Sequence, residues 1–144
     1  EQRRAAQEVP LRDELDFLSR YLDIMRTRFG DRLTIDVKVT PDLLDAMVPS
    51  LVLQPLVENS IRHGMADRTD HGLVRILSRV EGKSLVLEVA DDGPGLAHAG
   101  ATDGYGIGLA NTRDRLARLY GPEHSIAIDG QRDGMRVRLT IPLR

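Results

Sequence analysis

Two glycine-spaced strings, Asp-Asp-Gly-Pro-Gly-Leu at 91–96 and Gly-Tyr-Gly-Ile-Gly-Leu at 104–109, stand close together in the chain. Glycine has no Cβ, so its backbone takes φ > 0 without strain and lets another group approach closely. Either string alone is a weak signal, and what flanks them has to decide. Upstream, LVRILSRV, the tight turn Glu81-Gly82-Lys83 and LVLEVADD make a β-hairpin pattern whose second strand runs into the first string. Downstream, Leu109, Leu116 and Tyr120 repeat at helical spacing until Gly121-Pro122, a normal helix stop. A strand therefore ends in Asp91, a loop follows, and the second string opens a helix. The free N–H groups and positive dipole end of such a helix make an anion site, with phosphate the usual occupant. The spacing is neither the Walker pattern nor a Rossmann fingerprint after a first strand.

The rest of the chain supplies the scaffold. Leu11, Leu15, Leu18, Leu22, Met25 and Phe29 alternate steps of four and three, the stripe of a helix ending near Gly30. Its stripe either packs on the domain's own core or continues an upstream coiled coil, for which it is short. RLTIDVKV alternates like a half-buried strand. Residues 49–63, PSLVLQPLVENSIRH, carry Leu53, Leu56, Val57, Ser60 and Ile61 on one helical face. Pro55 would cost about 3 kcal/mol in a helix interior, so it belongs in the first turn or at a tolerated kink. SIAIDG and MRVRLTIPL close the chain as a second hairpin. The order is helix, strand, helix, two strands, glycine loop, helix, two strands. This predicts an α+β two-layer sandwich, one mixed sheet carrying helices on one face.

Composition narrows the class. A length of 144 residues with 41% hydrophobic and 29% charged residues suits one globular domain. A net charge of −2 argues against a non-specific nucleic-acid binder. With no cysteine, disulfides and thiol chemistry are excluded and a reducing cytoplasm is permitted. No apolar run approaches the roughly 20 residues that span a bilayer. The start, Glu1-Gln2-Arg3-Arg4, suggests a fragment of something longer.

Taken together, LQPLVENSIRHG, DDGPGL and GYGIGLANTRDRLARLYG resemble the N, G1 and G2 boxes of the GHKL ATP-binding superfamily of gyrase, Hsp90, histidine kinases and MutL. More narrowly, with LRDELDFLSRYLDIMRTRFGDRL ahead of them, they are similar to sensor histidine kinases of the LytS type over about residues 9–143. The resemblance implies the Bergerat ATP-binding fold, with residues 1–30 ending a linker or dimerisation region and 31–144 forming the catalytic domain. It implies ATP and Mg²⁺ as ligands. Asn59 would hold Mg²⁺ through its side-chain oxygen, as a hard cation prefers. Arg62 would lie near phosphate and His63 against the nucleoside. Asp91 would accept the exocyclic amine of adenine, and Gly93 and Gly95 would let the backbone pass the base. Gly104, Gly106 and Gly108 would end a lid running from about Leu96 to Tyr105, with Leu109 packing beneath and Asn111 facing phosphate, Mg²⁺ or its own helix. Glu58 would support Asn59 in catalysis, although adjacent helix positions face about 100° apart.

Departures from the family pattern carry as much meaning. Hydrolytic relatives place a water-activating glutamate four residues before the N-box asparagine; here that position is Pro55, which cannot be a general base. Met135, after Gly134, stands where many relatives have a threonine that helps bind adenine. None of His63, His71, His98 and His124 has the Pro-Phe setting of a phosphoacceptor; His71 and His124 read as turn residues. The resemblance thus implies the ATP-binding part of a longer kinase, transferring the γ-phosphate to a histidine on an upstream helix. The intact protein would be a membrane-anchored homodimer with this domain in the cytoplasm, passing the phosphoryl group to a response regulator. Two alternatives stay open: an ATP-gated conformational module or ATPase, and a nucleotide-free interaction domain.

Overall fold

The structure, a computed structural model, describes residues 7–65, 71–93, 101–131 and 134–144, with the backbone alone of 63, 101–108 and 131. In chain order its elements are β1 (Glu8–Pro10), α1 (Leu11–Phe29), β2 (Leu33–Lys38), β3 (Met47–Pro49) and α2 (Leu53–Gly64). They continue with β4 (Gly72–Glu81), β5 (Ser84–Asp91), α3 (Ala101–Tyr120), β6 (Ser125–Gln131) and β7 (Gly134–Pro142). The main sheet runs β2-β4-β5-β7-β6. Only the β2–β4 pairing is parallel, so the sheet is mixed, as the strand spacing predicted. The Glu81–Ser84 pair closes the first hairpin over Gly82, whose φ of +61° is the left-handed geometry that favours glycine.

Alternation decides which face the helices cover. Leu85, Leu87 and Val89 of β5 enter the core with Val137, Leu139 and Ile141 of β7, while Val86 and Glu88 take the other face. Glu88, though buried, meets Arg79 and Arg136 at 3.6 Å each. All three helices contribute to the same core, with Leu11, Leu18 and Leu22 from α1, Leu53, Leu56, Val57 and Ile61 from α2, and Leu109 and Leu116 from α3. Each such leucine gains on the order of 1.5–3 kcal/mol on burial. The α1 stripe therefore packs on this core. α1 stops at Phe29 because Gly30, at φ +57°, turns the chain and donates its N–H to the Arg26 carbonyl.

Three features differ from the sequence reading. First, β1 and β3 form a separate antiparallel pair; segments of three residues lie below the length at which alternation is legible. Second, Pro49 ends β3 and α2 begins only at Leu53, later than the string from 49 suggested; Pro55 accordingly stands in the first turn, one of the two places expected for it, where its missing N–H would have lacked an intrahelical partner anyway. Third, α3 begins at Ala101, so Gly104, Gly106 and Gly108 lie inside the helix instead of opening it, and a lid reaching Tyr105 is not what the backbone forms. Glycine's penalty in a helix, about 1 kcal/mol, is entropic and not steric, so Ala-Thr-Asp ahead of the string can start the helix.

The chain ends are tied together. Tyr120, closing α3, donates its hydroxyl to Glu8 Oε2 at 2.8 Å, and Arg144 reaches Glu8 Oε1 at 3.4 Å while lying over the Tyr120 ring. Burial, then the Glu8 carboxylate, raises the Tyr120 hydroxyl well above its usual pKa. His71 bonds Thr34 Oγ1 and the Asp31 carbonyl, and His124 bonds the Gly121 carbonyl, so both histidines hold turns. His98 lies outside the described residues.

Candidate functional site

The site is built on the end of β5. That strand is hydrogen-bonded on both sides, and Asp91, its last residue, sits opposite Val74 of β4 and Met135 of β7. Its backbone is therefore held from two directions, and its carboxylate is 8% exposed. Oδ1 accepts the Gly93 N–H at 2.9 Å. Oδ2 is buried with no hydrogen-bond partner among the described residues. Burial pushes the carboxyl up from 3.8 to about 6, opposed by the Gly93 and Met135 N–H groups and the nearby Ser60 hydroxyl, and reinforced slightly by Asp92. Ser60 is near enough to act on it, yet its Oγ, fully buried, makes no hydrogen bond of normal geometry among the described residues. A buried carboxylate oxygen with only a poorly aligned hydroxyl beside it is incompletely satisfied, and such a group calls for a better partner.

Two glycines make room for this carboxylate. A Cβ on Gly64, the last residue of α2, would come within 3.2 Å of Asp91 Cβ. A Cβ on Gly134 would fall 2.0 Å from the Asp91 carbonyl oxygen, an overlap with backbone that cannot relax easily. Asp92, next in the chain, serves the scaffold: its Oδ1 accepts the Leu73 N–H at 2.9 Å and pins the start of β4.

α2 carries the second part. Asn59 is 3% exposed, and its Oδ1 accepts the Arg62 guanidinium at 2.9 Å. The carboxamide oxygen that a hard cation would use is thus already paired with a positive charge. No group of three His, Cys, Asp or Glu side chains suited to a metal occurs among the described residues. A cation at Asn59 would draw its remaining ligands from phosphate and water, the habit of Mg²⁺ on nucleotides. Glu58 faces elsewhere: it accepts Gln54 Nε2 at 3.3 Å and, with Arg62, lines a groove of about 580 Å³ between α1 and α2 that also involves Tyr21, Arg28 and Phe29. There burial, with Glu58 adding, raises the Tyr21 hydroxyl. The structure thus brings Asp91 together with Ser60, Gly64, Gly93 and Met135, and pairs Asn59 with Arg62, but does not turn Glu58 toward Asn59.

The remaining predicted residues divide by position. Leu109 is buried under α3, as packing beneath the helix start requires. Asn111 is exposed and lines a crevice of about 280 Å³ with Pro55, Thr112 and Arg115, which involves neither Asn59 nor Asp91. Gly104, Gly106 and Gly108 belong to the first two turns of α3. Gly95, the span 96–100 of the expected lid and the His63 side chain lie outside the described residues. Sequence reasoning missed Gly64 and Gly134 as the space-makers for Asp91, and Ser60 as its neighbour. Ser60 had a signal, a small polar residue on an apolar helical face. Gly134 had none, because its role depends on which strand lies beside β5.

With this geometry in hand, similarity to known proteins is informative. Residues 45–144 match the family model of the histidine kinase-, DNA gyrase B- and HSP90-like ATPases, and residues 2–33 match a histidine kinase model. The chain is 34% identical over 143 residues to the sensor histidine kinase BtsS of Escherichia coli strain K12, covering 99% of this chain and 25% of that protein. It is 33% identical over 148 residues to the sensor protein LytS of Oceanobacillus iheyensis, covering 94% of this chain and 25% of that protein. The chain therefore spans about a quarter of the length of these relatives. Among solved structures, the Acinetobacter baumannii histidine kinase AdeS superposes with a TM-score of 0.70 at 17% identity, covering 96% of this chain and 67% of that one. A nucleotide-free catalytic domain of the histidine kinase ThkA gives 0.69 at 17% identity, over 94% and 93% of the two chains. These superpositions establish the fold.

Proposed function

The chain belongs to the histidine kinase-, DNA gyrase B- and HSP90-like ATPase family, and from that premise we propose that it is the ATP-binding catalytic part of a sensor histidine kinase. The observation that carries this reading is the buried Asp91 carboxylate at the end of a central strand, its Oδ2 without a hydrogen-bond partner among the described residues. An exocyclic amine donates a proton, so the carboxylate selects adenine; guanine presents a carbonyl oxygen at the corresponding position and would be repelled. Gly93, whose N–H holds Oδ1, keeps Oδ2 turned to the ligand.

In this reading Asn59 holds Mg²⁺ through Oδ1, and Arg62, now on that oxygen, turns to phosphate when nucleotide enters. Mg²⁺ supplies charge neutralisation and orientation of the transferring phosphoryl group. Asn111 and the N-terminal turns of α3, with Gly104, Gly106 and Gly108, would lie along the phosphates, Gly93 and Gly95 would let the backbone pass the base, His63 would lie against the nucleoside, and Glu58 would play a supporting part. Phosphoryl transfer needs mainly positioning and electrostatics, which these residues suit. Hydrolysis needs a base for water, and Pro55 offers none at the position hydrolytic relatives use. Residues 1–30 end the linker and dimerisation region in this reading and 31–144 form the catalytic domain, with α1 folded onto the catalytic core. The longer protein would be a homodimer that brings an upstream acceptor histidine to the γ-phosphate and passes the group to a response regulator. Among the described residues no helix is long and apolar enough to cross a membrane; we place the domain on the cytoplasmic side of a membrane-anchored protein, where ATP is.

Calorimetric titration with non-hydrolysable ATP and GTP analogues, each with and without Mg²⁺, tests the proposal. Tighter binding of the adenine analogue, strengthened by Mg²⁺, is the expected result. Equal affinity for the two bases would overturn the role of Asp91, and no binding of either would leave an interaction-only domain.

A further inference from the structure

Glu14 is a carboxylate on α1 that is 3% exposed and hydrogen-bonded to groups far from it in sequence. Its Oε1 accepts the Leu51 N–H at 2.8 Å and its Oε2 the Leu53 N–H at 2.9 Å. These donors lie at the start of α2, where the first N–H groups have no intrahelical partner. No local side chain takes them: Val52 occupies the cap position and makes no side-chain capping bond. Leu51, just before it, has φ +62°, and is the one non-glycine residue with positive φ among the described residues. A leucine there is strained, and such a geometry persists only when its surroundings over-determine it. The Glu14 carboxylate is the surrounding that does so.

The consequence concerns Asn59. α2 lies on the sheet through Leu53, Leu56, Val57 and Ile61, and this apolar packing fixes which face of the helix meets the sheet while leaving the N–H groups at its start unpaired. Two charge-assisted hydrogen bonds to one carboxylate are directional and set its axial position. Asn59 stands six residues beyond Leu53, roughly 9 Å along the axis. Asp91, by contrast, is held by the sheet and not by α2's start.

We propose that Glu14 is a positioning residue for the nucleotide site: by clamping the strained start of α2 it sets where Asn59 stands relative to Asp91, and so governs affinity for the Mg²⁺–phosphate end of the nucleotide far more than base recognition, which α2 touches, among the described residues, only through Ser60 and Gly64. This rests on the function proposed above. Because Glu14 belongs to α1, the clamp also makes α1 part of the site's scaffold.

The test compares Glu14→Gln, Leu51→Gly and the double variant in the 144-residue chain, reading thermal unfolding and the affinities for adenosine and for Mg²⁺ with an ATP analogue. Glu14→Gln turns one acceptor into a donor facing a backbone N–H. Mg²⁺–nucleotide affinity should fall about tenfold and Tm by several degrees, with adenosine affinity within twofold of the parent. Leu51→Gly relieves the positive φ at an exposed position and should restore Tm in the double variant. The Mg²⁺–nucleotide affinity should stay low, because the clamp is still missing. Recovery of that affinity together with Tm would reduce Glu14 to a stabilising residue and overturn the proposal, as would a parallel fall in adenosine affinity. If Glu14→Gln does not fold by itself, Leu51→Gly against the double variant gives the same reading. Failure of the parent chain to bind Mg²⁺–nucleotide at all would instead reject the function proposed above.

Discussion

The two ends of α2 each meet a buried carboxylate, and the two carboxylates are in opposite conditions. At the N-terminal end both Glu14 oxygens accept backbone N–H groups at 2.8 and 2.9 Å. At the C-terminal end, against Gly64, Asp91 has one oxygen on Gly93 and the other without a well-aligned partner among the described residues. Exposure does not distinguish them, at 3% and 8%. Partners do. A satisfied buried carboxylate holds structure together, whereas one left half-satisfied costs stability that only a ligand repays, and such debts collect at functional sites.

Substitution should expose the contrast as a difference of sign. Glu14→Ala leaves one buried and one half-buried N–H group unpaired, at about 1–3 kcal/mol for the buried one and less for the other, and also removes the buried packing of the side chain, so chemical denaturation should show a loss of about 3–4 kcal/mol. Loss of less than about 1 kcal/mol would mean that water or a neighbour replaces the carboxylate.

Asp91→Asn should do the reverse. The folded-state pKa is raised from 3.8 to about 6, so the native state binds the proton more tightly than the unfolded chain. The resulting stabilisation is complete below about pH 4 and is lost as pH rises through 6, for a total of about 3 kcal/mol over 2.2 pH units. The asparagine variant carries no charge and escapes this loss. It should match the parent near pH 4 and exceed it by up to about 3 kcal/mol at pH 7 while losing roughly 10- to 150-fold in adenine affinity, the worth of a charge-assisted hydrogen bond. Unfolding curves at the two pH values decide it: a variant no more stable than the parent at pH 7 would remove the half-satisfied carboxylate from the comparison.

Adenosine affinity should follow the same group. An amine needs the deprotonated acceptor, so binding should be flat above about pH 7 and about tenfold weaker at pH 5 than at its plateau. Adenosine serves better than ATP here because it has no phosphate to titrate. A pH-independent affinity would detach base recognition from Asp91.

Gly64→Ala gives the smallest effect. Its new Cβ would stand 3.2 Å from Asp91 Cβ, tight enough to push the carboxylate by a few tenths of an ångström without unfolding the helix. A loss of about threefold in adenosine affinity is expected, with Tm little changed, since helix propensity offsets the crowding.

The sequence by itself determined the elements and the chemistry they carry. The four-and-three stripe from Leu11, the alternation in both hairpins and the stops at Gly30 and Gly121 are local signals, and each became the element it announced. The three box-like strings, through the family they resemble, likewise pointed to Asn59 on the helix before the first hairpin and to Asp91 at the hairpin's end as the residues to watch. Where α3 starts was less legible: glycine weakens a helix without forbidding it, so the string could not say whether it preceded the helix or lay within it. What only the tertiary structure decided is who surrounds those residues. Gly134 is required because β7 runs beside β5, and Glu14 caps α2 from 39 residues away. Asp91 is raised to about 6 because its burial at the end of β5 outweighs the Gly93 and Met135 N–H groups and the Ser60 hydroxyl that the fold brings to it. Burial, unpaired oxygens and long-range caps depend on distance in space, and a pattern of spacings along the chain contains no such distances.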